Sequence, residues 1–218
     1  MKKYTLWLLL LIPIYVAIVV RCTPSLHPIY TPDDIIYDPA LIGTWQEQDS
    51  GDSGDVLEFV AFPEHGNAYK LTFTNGDRDT GNFLAHLAGV GDYMFLDLYP
   101  ELKETDEVDL AMDWLIGSHM FVLVEQIEPD LIIRDMDYEW LSSYLSENPD
   151  VLEHEFVVDP YTEVHSDPNN RLVLTASPEE LQAFMIEHLD TEGAYAEPTV
   201  YTRIDETSAP VEEEIPPG

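Results

Sequence analysis

The chain has little positive charge and almost no cysteine. Its 218 residues include 43 aspartates and glutamates but only nine lysines and arginines, which gives a formal net charge of −34. A surface of this sign repels the phosphates of nucleic acids, so we expect no nucleic-acid partner. A single cysteine forms no intrachain disulfide and cannot supply several thiolates to one metal ion.

The sequence also lacks the common catalytic motifs. It contains no Gly-x-Ser-x-Gly nucleophile elbow, no His-Glu-x-x-His zinc pair and no glycine-rich phosphate-binding loop. A cysteine nucleophile would have to be Cys22, which stands at the N-terminal, membrane end of the chain. We therefore predict a protein that is not an enzyme.

A hydrophobic segment without charged residues lies near the N terminus. It runs from Leu6 to Val20, with Lys2 and Lys3 before it and Arg21 after it. A positively charged start followed by an apolar run is typical of a secretory signal or an N-terminal anchor. We therefore expect an exported protein that residues 1–22 attach to a membrane.

Two kinds of attachment are compatible with the end of this segment. Cys22 precedes Thr23 and Pro24 and resembles the lipid-bearing cysteine of a bacterial lipoprotein signal. Such signals have a small residue before the cysteine, and Arg21 departs from that pattern. Either Cys22 is lipidated, or it is an incidental thiol and residues 1–22 stay as an uncleaved anchor.

Composition divides the rest of the chain into three parts. Pro24, Pro28 and Pro32 punctuate residues 23–37 and predict a proline-rich tether. Residues 205–218 hold five acidic residues and three prolines but no aromatic residue, so we expect an acidic disordered tail. The folded domain is therefore predicted over residues 38–204.

Alternation of apolar and polar residues predicts a mainly β domain. In residues 69–74 the apolar side chains fall on one face, and Asn75-Gly76 follows with the residue types of a tight hairpin. Further strands are predicted near residues 56–62, 83–88, 93–98, 120–126 and 131–133. Short strands at this spacing are typical of an antiparallel meander that closes into a barrel.

Two short amphipathic helices are predicted to pack on this β domain. Ser177, Pro178 and Glu180 have the spacing of a capping box with proline at the first helical position. Apolar residues then recur at helical spacing. A second helix is expected to start at Asp137 and to end before Asn148.

The first strand resembles that of a known class of barrels. Lipocalin-like and fatty-acid-binding-like barrels begin with a Gly-x-Trp, which here is Gly43-Thr44-Trp45. Residues 30–45, together with 85–87, 95–100 and 174–176, resemble a group of uncharacterised bacterial exported lipoproteins. The resemblances imply a lipocalin-like barrel in which Gly43 allows a close backbone approach and Trp45 closes one end.

A barrel of this class has an interior, and aromatic side chains are expected to line it. The predicted ligand-binding residues are Trp45, Phe73, Phe83, Phe95 and Phe121. These rings either enclose a small apolar ligand or pack against one another.

One acidic loop has the residue types of a calcium site. Asp49, Asp52 and Asp55 repeat every third residue beside glycines, and calcium binds flexible carboxylate oxygens. The spacing is not that of an EF hand, so a solvated polar loop is the alternative, and no other cofactor is expected. His86 and His119 both lie in predicted strands and could meet across the barrel, but no thiolate supports a zinc site.

Three functional hypotheses remain. The first is a membrane-tethered, non-catalytic binding or accessory module of a bacterial cell envelope, with a small apolar ligand in the barrel. The second is a structural or interaction lipoprotein with a filled core and an unidentified protein partner. The third is a hydrolase that depends on calcium or on carboxylates.

The acidity also indicates an environment. Three of the nine basic residues precede Cys22 and no acidic residue does, so the exported part carries a net charge of −37. Such depletion of lysine and arginine resembles proteins adapted to high salt, where cations screen the repulsion between carboxylates.

Overall fold

Eleven β-strands and two α-helices occur in the computed structural model, which describes residues 23–48, 50–101, 116–157 and 171–204. The strands are β1 (Ile35–Ile36), β2 (Gly43–Glu47), β3 (Val56–Phe62), β4 (Ala68–Thr74), β5 (Thr80–Val90), β6 (Tyr93–Pro100), β7 (Met120–Gln126), β8 (Asp130–Arg134), β9 (His154–Val157), β10 (Arg171–Leu174) and β11 (Thr199–Ile204). The helices are α1 (Tyr138–Glu147) and α2 (Pro178–Glu187).

Eight of these strands form a closed antiparallel barrel. The order around it is β5, β4, β3, β2, β11, β8, β7 and β6, and β6 pairs with β5 to close it. Each barrel strand pairs with the next barrel strand along the chain, and the last, β11, pairs with the first, β2, so the barrel is a meander. β1 adds two residues beside β5, and β9 pairs with β10 in a separate ribbon. The predicted mainly β barrel with two short helices is confirmed.

The hairpin after β4 differs from the predicted tight turn. The loop spans residues 75–79, and its positive φ lies at Arg78 rather than at Asn75 or Gly76. Gly76 is needed for another reason, because a Cβ there would collide with the backbone carbonyl of Ser53. The prediction of a tight turn at Asn75-Gly76 was wrong, because the strands end at Thr74 and resume at Thr80.

Both helices begin at their predicted caps. The hydroxyl of Ser177 accepts the amide of Glu180 at 3.4 Å, and the carboxylate of Glu180 accepts the amide of Ser177 at 3.0 Å. Asp137 caps α1 by accepting the amide of Trp140 at 2.7 Å, and α1 ends before Asn148. These side chains bond amides that have no partner within the helix, which is why the caps mark the starts.

Two hydrophobic clusters lie on the two faces of the barrel sheet. The interior cluster draws buried side chains from all eight barrel strands, among them Trp45, Phe59, Tyr69, Leu87, Leu96, Val122, Leu131 and Tyr201. The outer cluster joins β5, β6 and β7 to both helices, through residues that include Ala88, Phe95, Leu123, Leu141, Leu145, Leu181 and Phe184. The helices therefore cover one outer face of the barrel.

The predicted tether, residues 23–37, packs on the barrel, and its residues 25–30 lie against the same outer face. Ile29 is completely buried in the outer cluster, and β1 pairs with the edge of β5. None of the helices that the structure describes is long and apolar enough to cross a membrane. The predicted anchor, residues 1–22, and the predicted tail, residues 205–218, lie outside the described residues.

Candidate functional site

The deep interior of the barrel is filled by its own side chains. Trp45, Tyr69 and Leu87 come from three strands and are completely buried. Phe59 and Leu71 are buried almost as completely. A side chain that bordered a water-sized space would show accessible surface, so these five residues pack without one.

Two of the predicted ligand residues lie where the interior meets solvent. Phe73 and Phe83 pack against the interior cluster but are only half-buried, as is Leu98. Phe73 pairs with Gly81 across the hairpin, and a Cβ on Gly81 would lie 2.9 Å from the ring of Phe83. Both side chains therefore lie near Gly81, beside the 75–79 loop. Phe73, Phe83 and Leu98 are called the hairpin end of the barrel below.

Phe95 and Phe121 do not join the other three predicted ligand residues. Both are buried in the outer cluster, whereas Trp45, Phe73 and Phe83 belong to the interior cluster. The expectation that all five rings line the interior was wrong for these two. The reason is that β6 and β7 are apolar on both faces, so alternation does not identify the inner one. Ligand binding by the residues stays a prediction.

The barrel end at which β2 begins lies opposite the hairpin end, because adjacent strands alternate in direction. Trp45 and Arg203 close it. The guanidinium carbon of Arg203 lies 4.1 Å from the centroid of the Trp45 ring, which is a cation–π contact. Arg203 also donates to the carbonyls of Ala40 and Ile42, and the indole nitrogen of Trp45 donates to the carbonyl of Leu41 at 2.9 Å.

Gly43 makes this closure sterically feasible. Its φ is +134°, and a Cβ on it would collide with the guanidinium of Arg203. A close approach at Gly43 was predicted, but the approaching group is a side chain of β11 rather than backbone. Trp45 packs at this end, as its residue type and position indicated.

A polar cluster interrupts the apolar outer face of the barrel. Asp97 on β6 is 1% exposed, and its two carboxylate oxygens have separate partners. Oδ1 lies 2.7 Å from Nδ1 of His119, and Oδ2 accepts the amide of Ile29 at 3.0 Å. His86 lies opposite Asp97 on β5, and its Nδ1 is 3.1 Å from the hydroxyl oxygen of Tyr30. His86 and His119 are thus both neighbours of Asp97, but on the outer face.

Burial shifts the protonation of two members of this cluster. It raises the pKa of Tyr30 to about 12, and the charge of Asp97 acts in the same direction. It lowers the pKa of His86, and the carbonyl of His65 and the charge of Asp97 oppose that shift only in part. At neutral pH, Tyr30 is therefore a neutral phenol and His86 a neutral imidazole.

The Asp97–His119 pair has a geometry in which a carboxylate orients an imidazole base. A hydrolase that forms a covalent intermediate would also need a nucleophile beside that imidazole. Ser25 is bonded to His119 through the backbone, but its hydroxyl donates to the carbonyl of His27 at 2.7 Å. The contacts of this cluster hold residues 25–30 on the barrel.

The predicted calcium residues lie only partly within the described residues. Asp49 and the side chain of Asp52 lie outside them. The carboxylate of Asp55 accepts the amide of Gly76 at 3.1 Å, and burial together with the charge of Glu47 raises its pKa. Among the described residues, no group of three or more His, Cys, Asp or Glu side chains could hold a metal ion.

Two of the predicted sites therefore stay predictions. They are the calcium site at Asp49, Asp52 and Asp55 and the lipidation of Cys22, which also lies outside the described residues. In the structure Asp55 links the loop before β3 to the hairpin after β4.

Sequence reasoning missed Asp97, Arg203 and Tyr30. Asp97 stands between Leu96 and Leu98, and a carboxylate inside an apolar strand is a signal that a buried partner is needed. Arg203 is one of six basic residues after Cys22, but nothing near it identifies Trp45 as its partner. Tyr30 carries no signal, since its partner lies 56 residues away.

Comparison with known proteins gives no family for this chain. No family model matches it, and no curated protein or solved structure matches it either. The assignment of an eight-strand antiparallel barrel rests on the strand pairing.

Proposed function

We propose that this protein is a non-catalytic binding or accessory module of a bacterial cell envelope, attached to the membrane by residues 1–22. Its barrel takes a small apolar ligand at the hairpin end. The observation that carries the proposal is the contrast between the two ends of the interior. Phe73 and Phe83 are half-buried at one end, whereas Trp45 is sealed at the other.

The mouth of a β-barrel is a common position for an apolar binding site. Aromatic rings bind apolar ligands well because each ring offers a large rigid surface. The filled interior limits the site to a shallow one, in which a ligand contacts Phe73, Phe83 and Leu98 without reaching Trp45.

The closed end supports a lipocalin-like version of the barrel. Gly43 and Trp45 form the Gly-x-Trp on the first barrel strand, and Arg203 from the last strand stacks on the tryptophan. The membrane attachment is supported by the uncharged run from Leu6 to Val20 between basic residues. Lipidation of Cys22 and an uncleaved anchor both satisfy the proposal.

The ligand site can be tested with a charge placed at the hairpin end. In the Phe73→Glu variant an unpaired carboxylate would replace an apolar ring, so the affinity for an apolar fluorescent probe should fall about tenfold or more, which is 1.4 kcal/mol. The probe is titrated into the full chain, held in an amphipathic polymer after removal of lipid, and displaced with a long-chain fatty acid.

The matched control is Thr74→Glu, which adds the same charge one residue along β4 and on the outer face. We expect it to bind the probe like the unmodified protein, with both variants checked by circular dichroism. Equal loss of affinity in the two variants, or equal retention, would contradict a site at Phe73.

A second candidate function is an interaction protein with a filled core and no ligand. Complete burial of Trp45, Tyr69 and Leu87 favours it, because the deep interior has no room for a guest. This candidate predicts no displaceable probe binding by the unmodified protein, so the same titration separates it from the first.

A further inference from the structure

We propose that the surface formed by Leu26, Tyr99 and Ile116 lies on the headgroup region of the membrane and fixes the orientation of the barrel there. The inference rests on the proposed attachment by residues 1–22. It adds which side of the domain faces the lipid. These three residues are called the exit face below, because the chain passes between the domain and residues 1–22 beside them, at Thr23.

The first described residues are bound tightly to the barrel. Ser25 and His119 exchange two backbone hydrogen bonds, with N–O distances of 2.9 and 2.8 Å. Leu26 donates to the carbonyl of Leu174, and Leu174 donates to the carbonyl of Pro24, both at 2.9 Å. Residues 24–26 are therefore bonded between the start of β7 and the end of β10.

Asp97 on β6 also holds residues 25–29 on the barrel. It accepts the amide of Ile29 with one oxygen and bonds His119 with the other. Ile29 and Ser25 are both completely buried. Because these contacts fix residues 25–29, the chain leaves the domain for the membrane at a defined point on its surface.

The chain between this point and the membrane is short. Ser25 is the fifth residue after Val20, the last residue of the apolar run, so the connection spans at most about 18 Å when fully extended. The headgroup region takes up about 5–8 Å of that length. A lipidated Cys22 would shorten the connection further, to three residues and about 10 Å.

This length restricts how the domain sits. A domain of this size has a radius of gyration of about 16 Å. The part of the connection beyond the headgroups, at most about 13 Å, is shorter than that radius. It holds the surface around Ser25 against the headgroups, and the far side of the barrel cannot replace it. Both forms of attachment therefore lead to the same membrane-facing side.

The side chains around the exit point suit an interface with lipid. Leu26 is 43% exposed, Ile116 83% and Tyr99 37%. The ring centroids of Tyr99 and His119 are 4.8 Å apart, and Gly117 packs directly against Tyr99. Tyrosine and exposed aliphatic side chains favour the boundary between headgroups and hydrocarbon.

The charge of the protein determines which lipid it meets best. The exported part carries a net charge of −37, and exposed Glu101 lies close along the chain to Tyr99. An anionic surface would be repelled, so contact through the exit face depends on apolar side chains. A zwitterionic bilayer is therefore the appropriate probe.

The test uses the full chain in phosphatidylcholine vesicles and nanodiscs, with isotope-labelled isoleucine, leucine and valine methyl groups. A lipid with a paramagnetic headgroup is added, and we expect loss of the methyl signals of Leu26 and Ile116. Val60 is the internal control, because it is an aliphatic residue, 51% exposed, on β3, which lies diametrically opposite β7 in the barrel order. Its signals should persist.

Flotation of the same vesicles separates the two proposals. If the protein floats with the vesicles and Leu26 and Ile116 are affected no more than Val60, the orientation is wrong while the attachment stands. If the protein does not float, the attachment by residues 1–22 is wrong, and the orientation fails with it.

Discussion

Asp97 is the residue at which the outer face of the barrel departs most clearly from an apolar surface. An unpaired carboxylate in such a place would be strongly destabilising, and the structure avoids this by giving each oxygen its own donor. One donor is the imidazole of His119, just before β7, and the other is the backbone amide of Ile29. A single buried charge therefore joins the N-terminal segment to the barrel and determines where that segment lies.

His86, opposite Asp97, makes stability sensitive to mild acid. Burial lowers its pKa in the folded protein below the ordinary value of 6.5, so the unfolded chain binds a proton more readily. The free energy of unfolding should therefore fall as the pH is lowered through about 6.5 towards 5. We expect His86→Gln to flatten this part of the curve of melting temperature against pH.

The comparison for His86 is His27→Gln, since His27 is exposed and its backbone amide and carbonyl, which bond the hydroxyl of Ser25, are kept. Its curve should follow that of the unmodified protein. A slope between pH 7 and 5 that is the same with and without the His86 imidazole would disprove the linkage.

At the scale of elements, the caps of the helices are local enough to be both predicted and tested. Ser177→Ala removes the hydroxyl that accepts the amide of Glu180 and should lower the free energy of unfolding by about 1 kcal/mol. Ser143→Ala, at an exposed position inside α1, is the matched control and should be neutral or slightly stabilising. Denaturant titration measures both, and equal effects would mean that the capping box contributes nothing.

The strands differ in how far the sequence predicts them. β3 and β7 have the predicted bounds, and β4 and β6 differ from prediction by one or two residues, because alternation and flanking turns are local properties. The face that each strand turns inward is not local. Phe95 and Phe121 were assigned to the interior because nothing in the sequence of β6 or β7 indicates that two helices cover the outer side of these strands.

The same limit applies to the polar contacts that organise the site. Asp97 and Tyr30 act through contacts between residues 29–30 and the outer face of β5 and β6, and Arg203 acts through a partner on β2. Gly43 and Trp45 were recognisable because they stand close together on one strand. Arg203 was not, because it meets them only when β11 pairs with β2.

At the scale of the molecule, the two proposed surfaces are adjacent. Phe83 at the hairpin end pairs with Pro100, and Tyr99 of the exit face precedes that proline on β6. A barrel held on the membrane by its exit face would therefore have its proposed ligand site beside the bilayer. An apolar ligand could then pass from lipid to Phe73 and Phe83 with little exposure to water.

The charge of the whole molecule gives the last prediction. Residues 22–218 carry a net charge of −37, so repulsion between carboxylates opposes the compact state, and salt screens it with a Debye length of about 10 Å at 0.1 M and 3 Å at 1 M. The melting temperature should therefore rise with sodium chloride, and choline chloride at equal ionic strength should reproduce most of the rise. A variant with Glu58→Gln, Glu155→Gln and Glu187→Gln, all at exposed positions, should be more stable in dilute buffer and gain less from salt. A melting temperature that does not change between dilute buffer and molar salt would mean that repulsion between carboxylates does not destabilise the fold. It would favour a specific basic partner instead, and salt should weaken the binding of that partner.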